Sequence, residues 1–125
     1  MNNESKKLTI ILPTKNRPEC LLRLLRYYVE VGFQGILCIG DSSEGEHLEC
    51  NKRQIKMFGG RLDIVYKEYP ELDEPQCSQK LANIVNTPYV AWVADDDFLV
   101  PSGLEKCMVF LEDHPDYSAA HGLSI

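Results

Sequence analysis

Short apolar segments alternate along the chain with segments whose apolar residues recur at helical spacing. Strand-like runs, rich in β-branched and aromatic residues, are predicted at 8–12, 36–39, 62–66 and 89–94, and a fifth is expected to emerge within 118–125. The intervening segments carry stripes such as Leu21, Leu24 and Tyr28, which predict core-facing helices. This alternation predicts an α/β fold, a Rossmann-like and mostly parallel sheet with helices on both faces.

Local signals place several element boundaries. Pro18 suits the first position of a helix that ends at Gly32, and later helices are predicted at 46–58 and 77–85. Ser102-x-x-Glu105 predicts a capping box at the start of a last helix. The alternating run 62–66 favours a strand near an edge. The run 89–94 predicts a buried strand, with Trp92 in the core or, alternatively, in the lining of a ligand pocket.

The bulk composition limits the class of protein. A length of 125 residues, with 44% hydrophobic and 26% charged residues, predicts one globular domain, 1–125. Net charge is −6 and no basic stripe is present, which argues against nucleic-acid partners. No apolar segment approaches the length of a transmembrane span. Because segment 118–125 resembles the beginning of a strand, we expect this chain to be the amino-terminal part of a longer protein. An open edge of the sheet could also pair with a second copy, so a homo-oligomer is a further possibility.

The five cysteines are widely spaced and odd in number. The chain contains no C-x-x-C pair, so neither a zinc site nor a thioredoxin-type motif is supported. Residues 1–7 are polar and lack the apolar stretch of a signal peptide. These features favour a reducing, cytoplasmic location, with which peripheral membrane association remains compatible.

Three consecutive aspartates, Asp95, Asp96 and Asp97, directly follow the predicted strand 89–94. Ligands of open α/β sheets bind outside the carboxyl ends of the strands, where this triplet falls. Adjacent carboxylates repel one another unless a cation or several donors neutralise them. Oxygen ligands suit hard cations such as Mg²⁺, Mn²⁺ or Ca²⁺, often together with nucleotide phosphates. The alternative is a solvent-exposed polar turn.

Two other segments are expected at the same end of the sheet. Asp41 follows the second strand, where a carboxylate can accept hydrogen bonds from a ribose or a base. The loop 13–18 follows the first strand and contains no glycine, which excludes both the dinucleotide-binding fingerprint and the P-loop. It offers Lys15 and Arg17 beside the start of a helix, a place that favours anions.

Together, segments 10–18, 41–45 and 89–97 resemble the nucleotide-binding half of a family-2-type glycosyltransferase with the GT-A fold. Segments 87–90 and 110–118 are similar to a bacterial subgroup, here with an Asp-Asp-Asp motif, and the resemblance extends from residue 8 to about 122. It implies a domain that binds a nucleoside-diphosphate sugar through a divalent metal, Mn²⁺ or Mg²⁺, for transfer of the sugar to an acceptor that the sequence does not identify.

The resemblance also implies roles for individual residues. The loop with Pro13, Thr14, Asn16 and Arg17 would surround the nucleotide, Asp41 would contact its base or ribose, and Asp95 would lie against the ribose or sugar. The metal would be held by Asp96 and Asp97. Ala94 stands where many relatives begin a D-x-D motif, which leaves the register within the triplet open by one position.

Family members of this type usually invert the anomeric centre with a carboxylate base. No match for that base is found here, so we expect it outside this chain.

Three other interpretations stay open at this stage. A metal-dependent nucleotidyltransferase would normally carry a glycine-rich basic loop after the first strand. A non-catalytic regulatory module that binds Mg²⁺ in an acidic pocket would need a downstream lysine. A degenerate domain without chemistry is the third alternative.

Overall fold

The computed structural model describes residues 6–122, which form four parallel strands and four helices. The strands are β1 (Leu8–Thr14), β2 (Ile36–Asp41), β3 (Asp63–Glu68) and β4 (Tyr89–Trp92). The helices are α1 (Pro18–Glu30), α2 (Gly45–Phe58), α3 (Glu74–Ile84) and α4 (Pro101–Asp113). The predicted α/β fold with a parallel sheet is confirmed.

The strand order β3-β2-β1-β4 places β1 inside the sheet, between β2 and β4. From β1 the chain runs outward through β2 to β3, and then returns to the other side of β1 as β4. The strand order therefore reverses between β1 and β4, and open α/β sheets bind ligands at such a topological switch point. Thr14 and Asp41 are partners in the β1–β2 register, so the polar residues that end these two strands lie at the same level.

Helices pack on both faces of the sheet, as predicted. Ile10, Leu37 and Ile39 belong to the larger core cluster, with residues of α1, α2 and α4 on the same face. The alternate residues Ile11 and Cys38 face the other way and pack against α3. This period of two along the strands explains why two separate apolar layers form.

Helix boundaries follow the sequence signals in part. Pro18 begins α1, and Gly32 lies just beyond its end with φ of +68°, as predicted. The predicted capping box of the last helix was wrong: α4 begins at Pro101 after Val100, and no side chain caps it. Because proline fixes its own φ and needs no amide partner, it sets the start of this helix one residue before Ser102.

Two strand predictions need correction. β4 lies at the edge of the sheet, not buried, and Val90 and Trp92 are 54% and 47% exposed. Trp92 lies outside the core, where its ring nitrogen donates to the Ser78 hydroxyl at 3.0 Å. The expected fifth strand is not formed over 118–122, and residues 123–125 lie outside the described part of the chain. The placement of 62–66 near an edge is confirmed, since β3 ends the sheet.

Burial of a phenol predicts loss of stability at alkaline pH. Removal from water raises the pKa of Tyr28 from 10.0 to about 12. As the pH rises, the Tyr28 hydroxyl therefore loses its proton in the unfolded chain before it does so in the folded one. The stability that the neutral Tyr28 contributes is complete below pH 10 and declines as the pH rises toward 12. We expect Tyr28→Phe to flatten the fall in denaturant midpoint between pH 9 and pH 11.

The exposed Tyr117 provides the matched control, since it is 53% accessible. Tyr117→Phe should leave the alkaline fall unchanged. Equal falls in the native protein and in Tyr28→Phe would contradict the assignment to Tyr28.

Candidate functional site

A cavity of about 550 Å³ opens at the carboxyl ends of the strands, beside the switch point. The loop after β1, the loop after β4 and the start of α3 surround it. Its lining residues are Pro13, Thr14, Lys15, Asn16, Arg17, Ser42, Leu72, Asp73, Glu74, Cys77, Ala94, Asp95 and Asp96. The position agrees with the expectation that ligands bind outside the carboxyl ends of parallel strands.

Asp95 is the best-anchored carboxylate in the cavity. Its side chain is 10% exposed, and the Thr14 hydroxyl donates to Oδ2 at 3.0 Å. Arg17 Nη1 donates to the other oxygen, Oδ1, at 3.2 Å. The guanidinium neutralises, and the hydroxyl further stabilises, a carboxylate that would be costly to bury alone.

Asp96 faces solvent beside the same arginine. Its side chain is 56% exposed, and its Oδ2 lies 3.6 Å from Arg17 Nη1, the nitrogen that also binds Asp95. The negative charge of Asp95, followed by that of Asp96, raises the pKa of the Arg17 guanidinium above its ordinary value. The single positive charge of Arg17 therefore lies beside two carboxylates.

The loop that carries Arg17 is shaped by Asn16, whose φ of +55° lies in the left-handed region. Asparagine adopts this conformation more readily than most residues. The Asn16 amide donates to Ser43 Oγ at 2.7 Å, and its side-chain oxygen accepts from the Glu44 amide at 3.1 Å. Both contacts tie the loop after β1 to the loop after β2, and so fix the start of α1 next to Asp95.

Asp41 lies beneath this second loop and is fully buried. Its Oδ1 accepts a hydrogen bond from the Ser43 backbone amide at 2.9 Å. Its Oδ2 accepts hydrogen bonds from the Asn51 side-chain amide at 3.1 Å and from the Tyr66 hydroxyl at 2.6 Å. Burial, and then the bond to Asp41, raise the pKa of Tyr66 far above its ordinary range. The carboxylate therefore holds β2, β3 and α2 together under the cavity wall.

The structure thus divides the sequence-predicted residues into two groups. Asp41 is absent from the cavity lining, and so is Asp97, which is exposed and whose amide donates to the Ala94 carbonyl at 3.1 Å in a turn. The others are brought together in the cavity lining: Pro13, Thr14, Asn16, Arg17, Asp95 and Asp96.

One wall of the cavity was missed by sequence reasoning. This wall is formed by the start of α3 and the two residues before it: Leu72, Asp73, Glu74 and Cys77. The helix begins three residues earlier than the predicted 77–85. Asp73 caps this helix and forms a full capping box with Gln76. The signal was present, because an N-cap aspartate, a proline in the first turn and a glutamine at the third position mark a helix start.

The cavity offers a divalent cation two neighbouring carboxylates, Asp95 and Asp96. Within residues 6–122, no group of three histidine, cysteine or acidic side chains is arranged to hold a metal. Asp95 and Asp96, however, already share one cationic nitrogen, so two carboxylate oxygens can face a single positive charge. Mg²⁺ sites commonly use one or two carboxylates and complete the shell with water and phosphate oxygens. Two carboxylates are thus compatible with a divalent cation that takes its remaining ligands from water or phosphate.

A second concavity of about 420 Å³ lies between the start of α1 and the face of α2. It is smaller and is lined by side chains of two helices, without a residue of the loops after β1 and β4, so we place the candidate site at the larger cavity. Its lining residues are Pro18, Glu46, His47, Glu49, Cys50 and Arg53.

No helix of the described residues is long and apolar enough to cross a membrane.

Comparison with known proteins identifies a shared fold. The chain resembles a crystal structure of S. aureus TarS 1-349, with a TM-score of 0.72 and 16% identity over 87% of this chain and 33% of that one. A second crystal structure of S. aureus TarS gives a TM-score of 0.70 at 17% identity, over 87% of this chain and 20% of that one. TarS is a glycosyltransferase.

Sequence comparison alone finds no relative: no family profile and no curated protein sequence matches the chain. The chain spans about a third of one TarS structure and a fifth of the other. At this level of identity the likeness establishes the fold, an α/β architecture of the kind found in a glycosyltransferase.

Proposed function

We propose that this domain binds a nucleoside-diphosphate sugar with a divalent cation, as the donor-binding part of a glycosyltransferase. The observation that carries the proposal is the convergence of Thr14, Arg17, Asp95 and Asp96 in one cavity at the switch point of the sheet. The likeness to TarS supports the class of enzyme.

The cavity has the size and the polarity that such a ligand needs. Its volume of about 550 Å³ lies within the range of about 300 to 1,000 Å³ typical of small-molecule sites. One end carries Arg17 and the paired carboxylates, which suit a metal and a diphosphate. Pro13, Leu72 and Cys77 offer apolar contacts elsewhere in the lining, as a nucleobase requires.

The proposed chemistry is departure of a sugar from a nucleoside diphosphate. The diphosphate gains negative charge as the bond to the sugar breaks, and positive groups aimed at it lower the barrier. Arg17 supplies one such group, while Thr14 holds Asp95 in a fixed orientation. A divalent ion on Asp96 and Asp95 would act as a Lewis acid toward the diphosphate.

The acceptor site and the base for an inverting transfer are proposed to lie in additional chain. The TarS structures that share this fold have most of their length beyond the matched part. Within this proposal the domain supplies donor and metal binding, and turnover depends on its combination with that further part.

Calorimetric titration of the native chain with UDP, GDP and CDP, with and without Mn²⁺, tests the proposal. We expect one nucleotide to bind in the presence of Mn²⁺ and to bind at least about tenfold more weakly without it, because the carboxylates repel a bare diphosphate. Circular dichroism checks that the domain is folded. A folded domain that binds none of the three nucleotides under either condition would overturn the proposal.

A further inference from the structure

We propose that Arg17 is an internal counter-ion: it occupies the cation position between Asp95 and Asp96, and a divalent ion must displace it. The displaced guanidinium then pairs with the diphosphate. This second step rests on the proposed function, whereas the competition between Arg17 and a metal ion stands on the geometry of the side chains alone.

The geometry shows a shared position. One nitrogen, Arg17 Nη1, lies 3.2 Å from Asp95 Oδ1 and 3.6 Å from Asp96 Oδ2. Within residues 6–122, no other ion pair is formed by either carboxylate. A metal held by the same two carboxylates would compete with the Arg17 guanidinium, because two neighbouring cations repel each other.

The burial of the partners indicates which one moves. Asp95 is 10% exposed and is also held by the Thr14 hydroxyl, so its position is fixed from two sides. The Arg17 side chain is 52% exposed, and an arginine at the surface can change rotamer at little cost. Displacement therefore moves Arg17 outward and leaves Asp95 in place.

The displaced guanidinium has an evident new partner. Arg17 is the last residue before α1, and the first amides of a helix favour anions. Guanidinium groups bind phosphate oxygens in a bidentate manner. When Arg17 leaves the two carboxylates and pairs with the diphosphate, its charge remains paired. Because the metal releases Arg17 and the nucleotide accepts it, each is expected to bind more tightly in the presence of the other.

Substitution of Arg17 by glutamine separates the two steps. With Mn²⁺ alone as the probe, we expect Arg17→Gln to bind the ion about three- to fivefold more tightly than the native chain, since a competing ion pair is lost. Arg26→Gln is the matched control, because Arg26 is exposed on α1, the helix that follows Arg17, and its replacement changes the net charge equally. Electron paramagnetic resonance of free Mn²⁺ gives the affinities, and the melting temperature of each variant verifies folding.

The outcomes are distinct from those of the proposed function. Equal or weaker Mn²⁺ binding by Arg17→Gln, or binding undetectable in both proteins, would overturn the counter-ion role whether or not nucleotides bind. Addition of UDP, GDP or CDP then tests the second step: the nucleotide that binds the native chain should bind Arg17→Gln more weakly, although Mn²⁺ alone binds more tightly. A nucleotide affinity unchanged by the substitution would overturn the transfer of Arg17 to the diphosphate.

Discussion

Replacement of Asp41 by alanine is expected to lower the free energy of unfolding by about 3 to 5 kcal/mol. The carboxylate is fully buried and accepts hydrogen bonds from Ser43, Asn51 and Tyr66. Its loss removes an acceptor from two buried residues, Ser43 and Asn51, and from the partly buried Tyr66. The Asn51 amide keeps its bond to Ser43 Oγ, and a buried donor left unpaired costs about 1 to 3 kcal/mol. For a domain of this size we expect the melting temperature to fall by roughly 10 °C or more.

Two further variants make this prediction specific. Asp116 is exposed, so Asp116→Ala provides the same change of side chain and charge with little effect on stability. Tyr66→Phe removes a single donor and should cost about 1 to 2 kcal/mol. A melting temperature of Asp41→Ala within about 2 °C of the native value would show that the network does not hold the turn.

Replacement of Asp96 by alanine is expected to weaken nucleotide binding in Mn²⁺ by about 10- to 100-fold. Asp96 is the more exposed of the two carboxylates that share Arg17, so it is the one that a metal–diphosphate complex approaches from solvent. The variant should bind no more weakly than the native chain when Mn²⁺ is omitted. Calorimetry with the nucleotide that binds the native chain measures both affinities.

Asp113→Ala is the control for this loss of charge, because Asp113 is exposed at the end of α4. Asp97→Ala tests the register within the triplet: its position outside the cavity lining predicts a smaller effect than that of Asp96→Ala. An Asp96→Ala variant with native affinity in Mn²⁺ would remove this carboxylate from the metal site.

The positions of the four strands along the chain could be predicted, because their apolar runs are short and bounded by turn residues. The edge position of β4 could not, since its run 89–94 is apolar throughout and periodicity alone does not separate a central strand from an edge strand. Trp92 was wrongly placed in the core for this reason. The start of α4 was missed because Pro101 outweighs the capping signal at Ser102.

The site residues from strand ends were predictable, because parallel strands bring their carboxyl ends to one edge. Thr14, Arg17 and Asp95 meet as that rule requires. The contacts of Asp41 were not predictable, since Asn51 and Tyr66 reach it from α2 and β3 across 10 and 25 residues of chain. Side-chain orientation at that distance is decided by tertiary packing, which local patterns do not encode.

The most direct test of the central claim is a map of backbone amide shifts in an NMR titration with Mg²⁺ and a nucleoside diphosphate. We expect the largest shifts at Thr14, Asn16, Arg17 and 95–97, with smaller ones at the start of α3. Shifts confined to the groove on α2, at Glu46–Arg53, or no shifts at saturating nucleotide, would contradict a donor site at the carboxyl edge of the sheet.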